Sequence, residues 1–237
     1  WMPFGSGLDS IVKAVVSWDP DGPGPLPAQL IAGGDFTLSG GASVAYLAGW
    51  DGAAWQPVGG VISHPVTALA TWDPDGPGPL HDQLVVAAGF QTVGGLTANR
   101  IARWDGTLWH AFGLGLSDLV LALSKWDPDG PGPDAELLVA GGYFQSSGTT
   151  TLNHVAVWNG NAWSSLGTGV SGIPTVNGLF AITPWNPDGP GPASDHLIVG
   201  GLFSTAGSVT AHRIARWDGT QWHALGSGMS DVGEVHA

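Results

Sequence analysis

The stretch that decides the fold is residues 66–112, which read VTALATWDPDGPGPLHDQLVVAAGFQTVGGLTANRIARWDGTLWHAF. It begins with period-two alternation of apolar side chains up to Trp72, which is typical of a β-strand. Prolines and glycines then end that strand, because proline cannot donate to a β-ladder. Residues 83–90 are a continuous apolar run, as expected of a strand that is buried on both faces. Beyond the polar loop 91–99, residues 100–104 and 108–112 are also predicted strands. The four predicted strands of this stretch are called A (66–72), B (83–90), C (100–104) and D (108–112).

A short turn signal separates strands C and D. Asp-Gly or Asn-Gly between two β-rich runs favours a two-residue type I′ hairpin, in which both turn residues have positive φ. The signal occurs in every copy of the stretch, as Asp51-Gly52, Asp105-Gly106, Asn159-Gly160 and Asp218-Gly219.

The same frame runs four times through the 237 residues. An opening Trp is followed 18 positions later by Phe, 32 positions later by a second Trp, and 5 positions further on by a third. Only the joint between copies varies, with 17, 17 and 22 residues from the third Trp to the next opening Trp. The series are Trp18, Trp72, Trp126 and Trp185; Phe36, Phe90, Phe144 and Phe203; Trp50, Trp104, Trp158 and Trp217; and Trp55, Trp109, Trp163 and Trp222.

Four antiparallel strands in each repeat, with a period near 54, predict an all-β fold and a β-propeller of four-stranded blades. We expect one propeller over residues 1–237, with strand D of a preceding blade at 1–7, complete blades at 8–59, 60–113, 114–167 and 168–226, and the start of a further blade at 227–237. Partial blades at both ends favour a segment of a longer repeat protein. A closed four-bladed ring with redundant ends is the alternative.

The motifs carry a resemblance over the whole chain. An apolar-Gly-Gly-x-Phe segment, then Ala-x-Trp-Asp-Gly-x-x-Trp, then Leu-Gly-x-Gly, resembles the kelch and galactose-oxidase type of β-propeller. It is more similar still to the propeller repeats of fungal cortical polarity-marker proteins and of large secreted bacterial repeat proteins. The resemblance implies a propeller that serves in binding or assembly, at the cell surface or outside the cell. The chain has no Cys for the copper site of galactose oxidase.

The charge excludes some partners. The formal net charge is −13, with six Lys and Arg residues in total. Nucleic acids and anionic membrane surfaces attract basic proteins, so we expect neither as a partner. No apolar run approaches the ~20 residues that span a bilayer, so we expect no membrane insertion.

Acidic residues concentrate in the A–B loops and the C–D turns, which emerge at the same end of a four-stranded antiparallel sheet. Of 19 acids, 14 fall there. Paired oxygens in Asp-x-Asp-Gly make calcium the candidate cofactor, although Ca²⁺ takes 6–8 oxygen ligands. Plain turn chemistry, in which Asp bonds its own backbone, is the favoured interpretation. The candidate ligands are Asp19, Asp21, Asp73, Asp75, Asp127, Asp129, Asn186 and Asp188.

The tryptophans are predicted to have a structural role, and the histidines are not predicted to form a metal site. Tryptophans repeated at fixed register are expected to pack between blades. The eight histidines show no compact ligand spacing, and scattered surface positions are the favoured interpretation. His154 and His212 lie near the start of strand C, one position out of register with each other.

We therefore expect a non-enzymatic propeller module of a larger secreted or cell-surface protein, acting in adhesion, matrix or assembly through its loops. Its partners would be proteins, glycans or further blades of the same protein. Self-association through open terminal strands is a further expectation. A carbohydrate-binding propeller is the first alternative, and a propeller enzyme with its active site outside this segment is the second.

Overall fold

The computed structural model describes residues 4–76, 78–130, 135–173, 177–189 and 194–229. This part of the chain contains β-strands and turns and no helix, as the sequence predicts. The terminal strands expected at 1–7 and 227–237 lie partly outside the described residues. Asp134, one of the 14 acids counted in the A–B loops and C–D turns, also lies outside them.

The strands follow the repeat. In the first repeat they are β1 (Val12–Trp18), β2 (Gln29–Gly34), β3 (Leu38–Ser39), β4 (Ala42–Ser43), β5 (Leu47–Trp50) and β6 (Trp55–Pro57). In the second they are β7 (Val66–Trp72), β8 (Gln83–Ala88), β9 (Thr92–Val93), β10 (Leu96–Thr97), β11 (Ile101–Trp104) and β12 (Trp109–Ala111). In the third they are β13 (Val120–Trp126), β14 (Leu137–Gly142), β15 (Ser146–Ser147), β16 (Thr150–Thr151), β17 (Val155–Trp158) and β18 (Trp163–Ser165). The fourth has β19 (Val170–Ser171), β20 (Gly178–Trp185), β21 (His196–Leu202), β22 (Thr205–Ala206), β23 (Val209–Thr210), β24 (Ile214–Trp217) and β25 (Trp222–Ala224).

Each repeat builds one four-stranded antiparallel sheet, in the order β1-β2-β5-β6, β7-β8-β11-β12, β13-β14-β17-β18 and β20-β21-β24-β25. The predicted strands A to D are these four. The register places the A–B loop and the C–D turn at one end of each sheet, because Trp18 pairs with Gln29 and Leu30 pairs with Trp50.

The chain divides into two compact units, of which the first holds the sheets of repeats one and two and the second holds those of repeats three and four. In the first unit, a Cβ added at Gly33 would lie 2.4 Å from Val66 Cγ1. The absence of a side chain at Gly33 therefore leaves room for Val66 of the next sheet. In the second unit, Gly141 is likewise covered by Leu179 and Ile182. Small residues in strand B therefore let neighbouring sheets approach closely.

The C–D connection differs from the prediction. Trp50 pairs with Trp55, so four residues intervene and not two. A type I′ turn needs positive φ at both central residues, but Gly52 has φ 98° and Asp51 does not have positive φ. Instead, Asp51 Oδ1 accepts the N–H groups of Ala53 and Ala54, each at 2.8 Å. The side chain of the first residue, and not a left-handed backbone, closes the turn.

The loop between strands B and C is also more ordered than predicted. It contains a two-by-two hairpin in each repeat, such as Thr92–Val93 against Leu96–Thr97. The residue before strand C then adopts positive φ: Tyr46 at 72°, Arg100 at 73°, His154 at 74° and Arg213 at 65°. The prediction that Arg100 belongs to strand C is therefore wrong by one residue.

Candidate functional site

The opening tryptophans of the first and third repeats form hydrogen bonds to the following repeat. Trp18 Nε1 donates to the carbonyl of Asp82 at 2.8 Å, and Trp126 Nε1 donates to the carbonyl of Asp195 at 2.7 Å. Each acceptor lies in the A–B loop of the following repeat. Both indoles are 4% exposed, so the predicted packing role of these two residues is confirmed.

The third tryptophans of the second and fourth repeats form hydrogen bonds to the preceding repeat. Trp109 Nε1 donates to the carbonyl of Gly59 at 2.7 Å, and Trp222 Nε1 donates to the carbonyl of Leu166 at 2.9 Å. Its ring also packs on the second Trp of its own repeat, as in Trp217–Trp222 with centroids 5.2 Å apart. Burial of an aromatic ring together with a satisfied N–H stabilises each such contact.

The acidic A–B loops are closed by their own carboxylates. Asp19 Oδ1 accepts the N–H of Asp21 at 3.3 Å, and Asp21 Oδ2 accepts the N–H of Leu26 at 3.1 Å. A Cβ at Gly24 would lie 2.0 Å from Asp21 Oδ2, which explains the glycine at this position. The same first bond recurs in the third repeat from Asp129 to Asp127 at 3.3 Å.

The fourth repeat follows the same pattern, with the Asp188 N–H bonded to Asn186 Oδ1 at 3.1 Å. In the second repeat, Asp75 accepts the Gly78 N–H through its carbonyl at 3.2 Å, and Asp73 occupies the position of Asp19. In the first, third and fourth loops the structure thus brings the two calcium candidates together as a hydrogen-bonded pair.

The electrostatics of these loops leave the calcium prediction open. Burial and the neighbouring Asp129 carboxylate raise the pKa of Asp127. Asp21 Oδ1 is buried and has no hydrogen-bond partner. Within the described residues, no group of three or more His, Cys, Asp or Glu side chains is placed to hold one ion. Calcium binding remains a prediction.

A groove of about 240 Å³ opens at the loop end of the first unit. Pro20, Pro79 and Leu80 give it apolar walls, and Asp82 and Asp105 lie beside them. Leu80 is 49% exposed, so the rim combines negative charge with accessible apolar surface.

Arg103 bonds Gln83, which is one of the residues that line this groove. Its guanidinium lies 6.0 Å from the centroid of the Trp72 ring, and its Nη1 donates to Gln83 Oε1. Burial lowers the pKa of Arg103, and the nearby Asp105 carboxylate opposes that shift. The side chain thus joins strand C to Gln83 in the lining of the groove.

Two Asp–His pairs were missed by the sequence analysis. His110 Nε2 lies 2.7 Å from Asp105 Oδ2, and His223 Nε2 lies 2.5 Å from Asp218 Oδ2. Burial raises the pKa of each Asp, but hydrogen bonds from the His and from the turn N–H and Thr hydroxyl groups outweigh it, so both pKa values lie far below the usual range. The available signal was a His five residues after the turn Asp in two copies.

The positive-φ residue before strand C is the other feature that the sequence did not reveal. The N–H of Arg100 donates to the carbonyl of Phe90 at 2.8 Å, and that of His154 donates to Phe144 at 2.8 Å. His154 is 6% exposed and its Nδ1 has no partner, and burial lowers its pKa. The structure places His154 in register with Arg213 and not with His212.

A second groove, of about 280 Å³, lies within the second unit. It runs between the loop after β18, the β22–β23 hairpin and the turn before β25. Hydroxyl and amide side chains of Thr168, Ser208 and Gln221 line it beside Trp217, whose buried Nε1 has no partner. No charged side chain lines this groove among the described residues.

No family model, curated protein sequence or solved structure matches this chain. Within the part of the chain that the structure describes, no helix has the length and apolarity to cross a membrane.

Proposed function

We propose that the chain is a β-propeller scaffold of a larger secreted or cell-surface protein, with kelch-like blades, that binds partners through its loops without catalysis. The observation that carries this proposal is the use of the repeated residues. The indole N–H groups of Trp18 and Trp109 donate to loop carbonyls of the adjacent repeat, and the strand-B glycine Gly33 contacts side chains of the next sheet. Such residues maintain an array, and contacts with a partner are then made by loops.

The loop end of the first unit supports a protein partner with a basic surface. Its A–B loops carry Asp19, Asp21 and Asp82, in a chain of net charge −13. Leu26 is 53% exposed and Leu80 is 49% exposed in the same pair of loops. Charge accelerates and orients association, while apolar anchors supply affinity.

A binding panel tests the proposal. The immobilised chain is presented with purified extracellular proteins that range from acidic to basic. We expect binding to favour basic members, to weaken with salt, and to weaken further in the Leu26→Ser/Leu80→Ser variant. Leu114→Ser is the matched control, because this leucine is 69% exposed outside these loops. Equal binding of acidic and basic members, or no effect of the double substitution, would refute the proposed partner surface.

The alternative function is carbohydrate binding, and the neutral groove of the second unit favours it. Hydroxyl and amide groups beside an indole N–H are suited to hydrogen bonding a sugar. However, Trp217 and Trp222 are 6% and 5% exposed, so their ring faces are not available for stacking. A glycan array with the parent chain and the Gln221→Ala variant separates the two functions. A glycan signal that the variant abolishes favours the alternative.

A further inference from the structure

The sequence contains two Asn-Gly pairs, Asn159-Gly160 and Asn177-Gly178. An asparagine before glycine can lose its side-chain amide, because the glycine has no Cβ to hinder attack of its nitrogen on the asparagine Cγ. The reaction depends on three groups: the attacking nitrogen, the side-chain carbonyl and the leaving amide. These groups have different surroundings at the two pairs.

The side-chain carbonyl of Asn159 is activated by the turn between strands C and D. Its Oδ1 accepts the N–H groups of Asn161 and Ala162, each at 3.0 Å. Because both partners are N–H donors, the atom that faces them is the amide oxygen and not the amide nitrogen. Two donors on a carbonyl oxygen stabilise the negative charge that it acquires when a nucleophile adds, as in an oxyanion hole.

The attacking and leaving groups of this pair are unhindered. Asn159 and Gly160 are both exposed. Within the described residues, the Gly160 N–H donates no hydrogen bond, and neither does Asn159 Nδ2. Apart from the chain neighbours of Gly160, nothing in the described structure lies within 4 Å of a Cβ added there. Water can therefore reach the turn, and the released amide can leave to solvent.

The same groups are held by the fold at Asn177. The Ile173 N–H donates to Asn177 Oδ1 at 2.9 Å, and Asn177 Nδ2 donates to the Ile173 carbonyl at 2.9 Å. Gly178 is buried and pairs with Leu202 at the start of β20. Departure of the amide would break a hydrogen bond, and movement of the Gly178 nitrogen toward Cγ would disturb the strand.

We propose that Asn159-Gly160 is a site of spontaneous deamidation, whereas the fold protects Asn177-Gly178. The Gly160 nitrogen attacks Asn159 Cγ and forms a new C–N bond. The Cγ–Nδ2 bond breaks, and the proton of the Gly160 nitrogen leaves with the amide as ammonia. Water then opens the cyclic succinimide at either carbonyl, which gives aspartate or isoaspartate in place of Asn159. This inference goes beyond the proposed function, since it concerns a covalent change in the chain itself.

The aspartate product matches the other repeats. The C–D turns of the first, second and fourth sheets have Asp51, Asp105 and Asp218 at the position of Asn159. Oδ1 of each accepts the N–H groups two and three residues further on, as that of Asn159 does. A carboxylate in the third turn therefore meets the same donors, and it makes the formal net charge one unit more negative than −13.

The Asp-Gly pairs of those turns resist the same reaction near neutral pH. A carboxylate resists attack by a nucleophile because it already carries negative charge. The N–H groups of Ala54 and Ala53 lower the pKa of Asp51, and the pKa values of Asp105 and Asp218 also lie below the usual range. These three side chains are therefore ionised, and Asn159 is the reactive member of the four turns.

Incubation of the 237-residue chain at mildly alkaline pH, followed by peptide mapping with mass spectrometry, measures both pairs in the same molecule. Trp163 lies between them, so cleavage after aromatic residues separates the two peptides. We expect Asn159 to convert at least about tenfold faster than Asn177 in the folded chain. In urea the two pairs have the same local chemistry, so their rates should become similar.

Two substitutions check the site in the intact chain, where isoelectric focusing shows each conversion as a more acidic species. Asn159→Gln should prevent formation of that species, because the longer side chain closes a less favourable ring. Asn177→Gln is the matched control and should leave it unchanged. Absence of conversion at Asn159 overturns the proposal. So does equally fast conversion at Asn177 in the folded chain, or a ratio of rates that urea leaves unchanged. The loop surface that the binding panel addresses does not depend on these outcomes.

Discussion

Substitution of Gly33 by Ala tests the packing rule on which the architecture depends. The added Cβ would lie 2.4 Å from Cγ1 and 2.9 Å from Cβ of Val66, whereas carbon atoms pack at about 3.5–4.0 Å. Val66 is fully buried and β-branched, so its side chain has little freedom to turn away. Overpacking costs about 1–3 kcal/mol, and loss of a strand glycine offsets about 0.5–1 kcal/mol. Because Val66 cannot turn away, the upper part of the overpacking range applies, and we expect a net destabilisation of about 1–2 kcal/mol.

Gly141→Ala is the matched variant in the second unit. Its Cβ would meet the terminal carbons Leu179 Cδ2 at 2.7 Å and Ile182 Cδ1 at 2.9 Å, which can move by rotation of the side chains. It should therefore cost less than Gly33→Ala when free energies of unfolding are compared by urea denaturation. Val66→Ala combined with Gly33→Ala should be more stable than the sum of the single effects predicts. A neutral Gly33→Ala, or additive single effects, would refute the proposed contact.

Three further predictions follow from the same contacts. Trp109→Phe leaves the Gly59 carbonyl without its donor and should lower the free energy of unfolding by about 1–3 kcal/mol, measured by urea denaturation. Trp185 is 45% exposed, so Trp185→Phe should change it by less than about 0.5 kcal/mol. Equal effects of the two substitutions would contradict the roles assigned to these residues. The lowered pKa values of Asp105 and Asp218 stabilise the fold above the unfolded pKa of about 3.9, and this contribution is lost as pH falls below that value. The melting temperature of the Asp105→Asn/Asp218→Asn variant should therefore fall less steeply with acid than that of the parent, and parallel curves would argue against the pairs. Because the loop carboxylates bond their own backbone, addition of CaCl2 or of EDTA should leave the melting temperature unchanged, and a rise of several degrees with Ca²⁺ would establish a calcium site instead.

The strands could be predicted because the signal for them is periodic. Strand A of the second repeat was predicted at 66–72 and is observed at Val66–Trp72, and its partner begins at Gln83 as expected. The alternation of apolar and polar residues and the prolines that end each strand are visible in the sequence itself. Four copies of the same pattern make the prediction more secure than one copy would. The antiparallel four-stranded sheets follow from the short connections.

The turns could not be predicted as well, because two local solutions compete. Both residues of an Asp-Gly pair can adopt positive φ, as in a type I′ turn. Alternatively, the Asp side chain accepts backbone N–H groups and only the glycine has positive φ. At Asp51 and Asp105 the second solution is found, in part because Gln56 or His110 also bonds the free carboxylate oxygen. That third partner lies on the adjacent strand, so a reading of the turn alone does not include it.

The positive φ of Arg100 has a different origin, because no local preference produces it. A bulky residue at positive φ is strained, and the strain is compensated by the structure around it. The N–H of Arg100 bonds the Phe90 carbonyl and its own carbonyl accepts the N–H of Ala88, so the buried end of strand B fixes this backbone. The same two bonds recur around His154, with Phe144 and Gly142.

That constraint separates backbone from side chain at one position of every repeat. The repeat requires positive φ at the residue before strand C but no particular side chain there. The residues at this position are Tyr46, Arg100, His154 and Arg213. The indole N–H groups of Trp18, Trp109, Trp126 and Trp222 bond neighbouring repeats, so replacement of these residues is expected to lower stability. His154 is buried and the other three side chains are half-buried, so the variation at this position reflects packing inside each repeat. Under the proposed function, we expect differences in binding between repeats at exposed loop residues such as Leu26 and Leu80 instead.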